Sequence, residues 1–167
     1  MVNNLKTQEE KQKKAQEIFS YLPTDRFSYE ERSCLAFYLF KYHAYIADYT
    51  AILVDEYFNE TNATEFEVLC NGEATVLFDD GKRHYLGIGE DVIAVTINMI
   101  GLEQKVGFDF VKSFVKYYAT DVCKGNDLSL QNCLYDIMRA VLLNNNPNYV
   151  IKETVNDSGI RCLSISL

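Results

Sequence analysis

SYEERSCLAFYLFKYHAYIADYTAILVDEYF, residues 28–58, predicts one long helix around which the rest of the chain is arranged. Ser28 and Glu31 form a capping box, in which each side chain bonds a free amide of the first turn. Apolar side chains recur every three or four residues, as in Leu35, Leu39, Tyr42, Ile46, Tyr49 and Leu53. A helix this apolar is buried or spans a membrane, and the polar Lys41, His43 and Asp48 favour burial in a globular domain.

The segments on either side carry equally local signals. Residues 7–21 are typical of a surface helix, with Thr7 and Glu10 at its start. After the long helix, the dipeptides Asn71-Gly72 and Asp80-Gly81 predict two hairpin turns between strands at 66–70, 74–78 and 83–88. Residues 91–100 alternate as a fourth strand would, although Glu90 and Asp91 would also suit the start of a short helix.

Two more helices and a hairpin complete the expected secondary structure. Amphipathic patterns predict helices at 107–122 and 128–143, and two short strands at 149–155 and 160–165 flank the turn at 156–159. The predicted fold class is therefore α+β. A long central helix and about three further helices pack on an antiparallel meander of three or four strands, with a C-terminal β-hairpin. We expect residues 1–167 to form a single domain.

The formal net charge of −8 is concentrated in the middle of the chain, where residues 61–104 contribute −6. Proteins that bind nucleic acid directly usually show the opposite, a basic stripe. An acidic surface favours a basic protein partner. Five cysteines without a C-x-x-C pair, and an N-terminus without an apolar signal segment, predict a cytoplasmic protein with free thiols.

Few residue patterns suggest catalysis. The spacing of His and Cys supports no zinc site, there is no phosphate-binding loop, and we expect no cofactor. Cys70 and His84 could form a nucleophile pair, oriented by Asp79 or Asp80. The carboxylates near strand ends could instead act as an acid–base pair. His43, between aromatic residues of the long helix, is more typical of a hydrogen-bonded core histidine.

These observations lead to the hypothesis of a non-enzymatic acidic binding protein. Its sharper form is an inhibitor of a basic nucleic-acid-handling protein such as a nuclease, comparable to an immunity protein or a phage-type anti-defence inhibitor. The expected partner-binding acids are Asp79, Asp80, Glu90, Asp91, Glu65, Glu67 and Glu73. Two alternatives stay open: a small cysteine- or carboxylate-based enzyme, and a homo-oligomer, such as a homodimer, that packs through the tyrosine-rich long helix.

Overall fold

The computed structural model describes residues 7–86, 116–122 and 128–167. Three α-helices and five strands lie within these residues, which confirms the predicted α+β class. The helices are α1 (Gln8–Tyr21), α2 (Tyr29–Glu60) and α3 (Leu128–Asn145), with a short π-helical turn at Tyr118–Val122. The strands are β1 (Ala63–Val68), β2 (Ala74–Phe78), β3 (Arg83–Leu86), β4 (Val150–Val155) and β5 (Arg161–Ser166).

Helix α2 begins where the sequence predicts, because its capping box forms. The Ser28 hydroxyl accepts from the Glu31 amide at 3.2 Å, and the Ser28 amide donates to the Glu31 carboxylate at 2.8 Å. At its other end the Thr61 hydroxyl bonds the Tyr57 carbonyl, so the helix runs two residues beyond the predicted limit. At about 1.5 Å per residue its 32 residues span about 48 Å.

The five strands form one antiparallel sheet in the order β3-β2-β1-β5-β4. The two hairpin turns lie at the predicted dipeptides, with Gly72 and Gly81 at φ values of 93° and 85°. The C-terminal hairpin joins the meander through β5, which aligns Phe66 with Ile165 and Val68 with Leu163. Among the strands that the structure describes, β3 and β4 are therefore the outermost.

The core lies between the sheet, α2 and α3. On β1, the ring of Phe66 packs edge-on against both Tyr57 and Phe58 near the end of α2. The Tyr149 hydroxyl donates to the Asp55 carboxylate, which attaches the segment before β4 to α2. Burial, with the Asp55 carboxylate adding to it, raises the pKa of Tyr149.

The expected burial of α2 needs correction, and two expected elements fall outside the described residues. Helix α2 is not buried all round, because Phe37, Tyr49 and Ile52 are 49%, 41% and 56% exposed. The expected strand or helix at 91–100 and most of the helix expected at 107–122 lie outside the described residues. No helix in the described part of the chain is long and apolar enough to cross a membrane. The expectation of a single domain stays a prediction.

Candidate functional site

Two of the predicted partner-binding acids lie on the outer face of the sheet and are paired with one arginine. Arg83 on β3 contacts Glu67 at 2.7 Å and Glu65 at 4.0 Å. The thiol of Cys162 also donates to Glu67, at 3.8 Å. Since one guanidinium lies against these two carboxylates, this part of β1 presents less negative charge than its two glutamates alone would.

Among the other predicted acids that the structure describes, Glu73 is separated from that pair and from Asp79 and Asp80. Glu73 lies in the turn before β2, whereas Asp79 and Asp80 follow the same strand, about 17 Å away at the other end. The Asp80 carboxylate accepts the Lys82 amide at 2.9 Å, which is ordinary turn chemistry. Glu90 and Asp91 lie outside the described residues. The structure thus brings Asp79 and Asp80 together, and partner binding by any of these acids stays a prediction.

The predicted Cys70–His84 pair does not form. Cys70 is 1% exposed beyond the end of β1, while His84 is exposed on β3, opposite Val76. The sheet register separates them by two strands and about four residues, on the order of 15 Å. The pairing was wrong because sequence spacing does not give the position of Cys70 relative to α2.

The histidine beside Cys70 is His43 of α2, and together with Tyr118 they form a buried cluster. The Cys70 sulfur lies 3.9 Å from His43 Nε2, and the Tyr118 hydroxyl lies 2.7 Å from the same nitrogen. His43 Nδ1 lies 2.7 Å from the Leu39 carbonyl, which can only accept, so Nδ1 carries a proton.

The cluster holds elements together rather than facing solvent. His43, Cys70 and Tyr118 are 0%, 1% and 5% exposed, and the Tyr118 hydroxyl also lies 2.9 Å from the Cys70 carbonyl. These bonds join α2, the β1–β2 turn and the π-helical turn. The prediction of His43 as a hydrogen-bonded core histidine is confirmed, and a substrate could not reach this cluster without local opening.

An open groove lies at the β2–β3 turn, beside the end of α2. Its volume is about 480 Å³, and it is lined by Glu60, Thr61, Asn62, Phe78, Asp79, Asp80, Lys82 and His84. The Asp79 amide donates to the Asn62 carbonyl at 2.9 Å, which holds the turn against the chain leaving α2. The ring of His84 packs edge-on against Phe78, with centroids 4.9 Å apart.

Among its described lining residues, the groove combines one imidazole with three carboxylates and one ammonium group. His84, Asp79, Asp80, Glu60 and Lys82 are all exposed, so a substrate can reach each of them. An imidazole can serve as either base or acid in proton transfer. Within residues 7–86, 116–122 and 128–167, no group of three or more His, Cys, Asp or Glu is placed to hold a metal ion. The sequence identified His84, Asp79 and Asp80 as candidates, but it gave no signal for Glu60 because that residue reaches the groove only through the fold.

The fold and this groove define an α+β protein with an accessible histidine beside several carboxylates. Comparison with known proteins indicates a class of reaction. The chain is 28% identical over 118 residues to an endoribonuclease, YbeY, of Mycoplasma mycoides subsp. mycoides SC. The alignment covers 71% of this chain and 63% of that protein, so the chain spans less than two thirds of its relative. No protein-family model matches the chain, and no solved structure gives a significant match.

This similarity corrects the functional hypothesis drawn from the sequence. A non-enzymatic inhibitor, whether an immunity protein or a phage-type inhibitor, is contradicted because the relative is itself an enzyme that acts on RNA. The acidic charge pattern was misleading because it counts residues without their pairing. It did not reveal that Arg83 lies against Glu65 and Glu67.

Proposed function

We propose that this chain is an RNA-cleaving enzyme and that the groove at the β2–β3 turn is its active site. The observation that carries the proposal is the similarity to an endoribonuclease over 118 residues. The sequence analysis left open a small cysteine- or carboxylate-based enzyme. The present proposal retains the carboxylates of that alternative, but its central catalytic group is His84 and not Cys70.

The proposed chemistry is transesterification, in which the RNA supplies its own nucleophile. A base removes the proton from the 2′-hydroxyl, whose oxygen attacks the adjacent phosphorus. The bond from phosphorus to the 5′-oxygen breaks, and an acid returns a proton to that oxygen. The products are a 2′,3′-cyclic phosphate and a 5′-hydroxyl. His84 is the proton-transferring group in this proposal.

The neighbouring charges have complementary roles. Asp79, next to the ring of Phe78 on which His84 packs, is the second proton-transfer group in the proposal. Lys82 is the cation of the groove and would offset charge that develops on the phosphate oxygens. Because three carboxylates outnumber Lys82 here, we expect the groove to bind the scissile phosphate weakly by itself.

The test is cleavage of a 5′-labelled RNA by the purified chain, with the products separated by electrophoresis. We expect His84→Ala to lower kcat by about 10²–10⁴-fold, the usual contribution of one general acid or base. Asp79→Asn should lower kcat as well.

The matched control is Asp157→Asn, which removes an exposed turn carboxylate far along the chain from the groove. It should leave cleavage unchanged, and all variants should melt within a few degrees of the parent protein. Cleavage that survives His84→Ala at the parent rate would show that the active site is elsewhere.

A further inference from the structure

A second, larger groove lies where α1, α2 and α3 meet. Its volume is about 690 Å³, within the range of pockets that enclose small ligands. Ala15 and Ala44 line it, and their short side chains leave space that larger residues would fill. It is well separated along α2 from the groove at the β2–β3 turn, called the catalytic groove below. Tyr45 of the one and Glu60 of the other are about 22 Å apart along the helix.

Aromatic rings are accessible in this groove. Phe37 is 49% exposed and Tyr45 is 37% exposed, while Phe40 lies half-buried between them. Large apolar rings exposed in a concave site are typical of binding surfaces rather than of solvated helix faces. Flat rings also provide the surface on which nucleobases stack, whatever their sequence.

The charge of the groove is opposite in sign to that of the whole protein. Lys11 and Lys41 line it, and Asp48 is the one acid among its described lining residues. The Asp48 carboxylate accepts from the Asn145 amide at 2.9 Å, which engages part of its negative charge. The Lys41 ammonium lies 4.7 Å from the centre of the Phe37 ring. Because this ammonium lies over the ring face, a base that stacks there would displace it, and the cation would remain close to the phosphate of that base.

From these contacts we infer that the α1–α2–α3 groove binds single-stranded RNA, with bases stacked on Phe37 and Tyr45 and phosphates paired with Lys11 and Lys41. This inference rests on the proposed function and supplies the anchoring that the acidic catalytic groove lacks. A strand held here would reach the catalytic groove over a span of several nucleotides. A protein occupant would have to match the same two lysines, and exposed aromatic rings beside cations fit a nucleic acid better.

The test uses fluorescence anisotropy with a labelled single-stranded oligoadenylate of roughly eight nucleotides, the usual footprint of such sites. Every 2′-oxygen is methylated, so the probe lacks the nucleophile and cannot be cleaved. We expect Phe37→Ala to weaken binding about tenfold or more, the usual effect of losing one stacking ring. Lys41→Gln should weaken it by a smaller factor.

Matched controls are Tyr29→Ala, an exposed ring on α2 outside the groove, and Lys152→Gln, an exposed lysine on β4. Both should bind the probe as the parent protein does, and so should His84→Ala. Failure of the parent protein to bind, or unchanged binding by Phe37→Ala and Lys41→Gln, would overturn the inference and leave a protein as the better occupant.

Cleavage of unmodified RNA separates this inference from the proposed function. Binding that depends on Phe37 without any cleavage would refute the function and support the groove. Cleavage by the Phe37→Ala and Lys41→Gln variants with the kcat/KM of the parent protein would refute the groove and support the function.

Discussion

At the scale of single residues, the Tyr118 hydroxyl connects two buried parts of the interior. It lies within hydrogen-bond distance of His43 Nε2 and of the Cys70 carbonyl, so one oxygen joins α2 to the β1–β2 turn. All three residues are buried, and removing the hydroxyl would take from His43 Nε2 its partner at 2.7 Å. The loss of a partner by a buried polar group costs more than an average hydrogen bond contributes.

We therefore expect Tyr118→Phe to lower the free energy of unfolding by about 1–3 kcal/mol. Urea denaturation followed by circular dichroism measures this change. Tyr29→Phe is the control, because Tyr29 is 70% exposed and should lose less than about 0.5 kcal/mol. Equal stability of the two variants would mean that the His43 cluster contributes nothing to the fold.

Thiol reactivity gives a second residue-scale prediction. Burial raises the pKa of Cys133 to about 12, although nearby Lys14 opposes the shift. Because this pKa lies well above 8, the Cys133 thiol stays protonated at pH 8. Only the thiolate form reacts with alkylating agents. We expect Cys133 to resist iodoacetamide in the native protein.

The reference is the rate at which iodoacetamide alkylates Cys133 in the protein unfolded by concentrated urea. Both rates are measured by mass spectrometry of the Cys133-containing peptide after digestion. Alkylation should be at least a hundredfold faster there, since an unperturbed thiol has a pKa near 8.5. Cys70, which is 1% exposed, should also be slow in the native state. Rapid modification of native Cys70 at neutral pH would restore the cysteine-enzyme hypothesis.

At the scale of elements, the C-terminal hairpin depends on one backbone conformation. Gly159 has φ of 78°, and the Asn156 carboxamide accepts the Ile160 amide at 2.9 Å across the turn. A Cβ at position 159 would meet no atom within 4 Å, so steric crowding plays no part. The cost of any substitution there comes from the left-handed backbone alone.

Gly159→Ala should therefore lower the free energy of unfolding by about 1 kcal/mol, the cost of placing an L-residue in this region. Gly159→Asn should cost less, because asparagine tolerates the left-handed conformation. Thermal denaturation of both variants checks the order. An alanine variant as stable as the parent protein would show that the turn changes its conformation without loss.

At the scale of the whole molecule, net charge limits how RNA could be held. The chain carries −8 overall, so its net charge repels a polyanion at long range and binding must come from local contacts. The α1–α2–α3 groove offers two lysines for such contacts. With two lysines among the described lining residues, we expect the RNA-binding constant to depend only weakly on salt concentration.

We expect the logarithm of the binding constant to fall with the logarithm of salt concentration with a slope of about −1.4, from about −0.7 for each of two phosphates. Anisotropy titrations between low and moderate salt measure this slope, and Lys41→Gln should reduce it by about half. A slope several times steeper would require a basic surface beyond this groove.

Much of the fold could be predicted, and so could His84, Asp79 and Asp80 of the candidate site, but Glu60 and the buried cluster around Cys70 could not. Ser28, Gly72 and Gly81 mark a helix start and two turns through interactions with residues a few positions away, so their signals are visible in sequence. The neighbours of Cys70 could not be predicted in this way. His43 is 27 residues away and Tyr118 is 48, and only packing determines that they meet.

The sequence by itself determined the long helix, the hairpins and the α+β class, because helix caps, glycine turns and apolar periodicity act between near neighbours. Only the tertiary structure decided which charges remain exposed, since Arg83 meets Glu67 through the register of β1, β2 and β3. It also decided where an accessible histidine lies beside carboxylates and where aromatic rings lie beside lysines. Those arrangements join residues distant in the chain, and the free energy that fixes them comes from burial of the whole core.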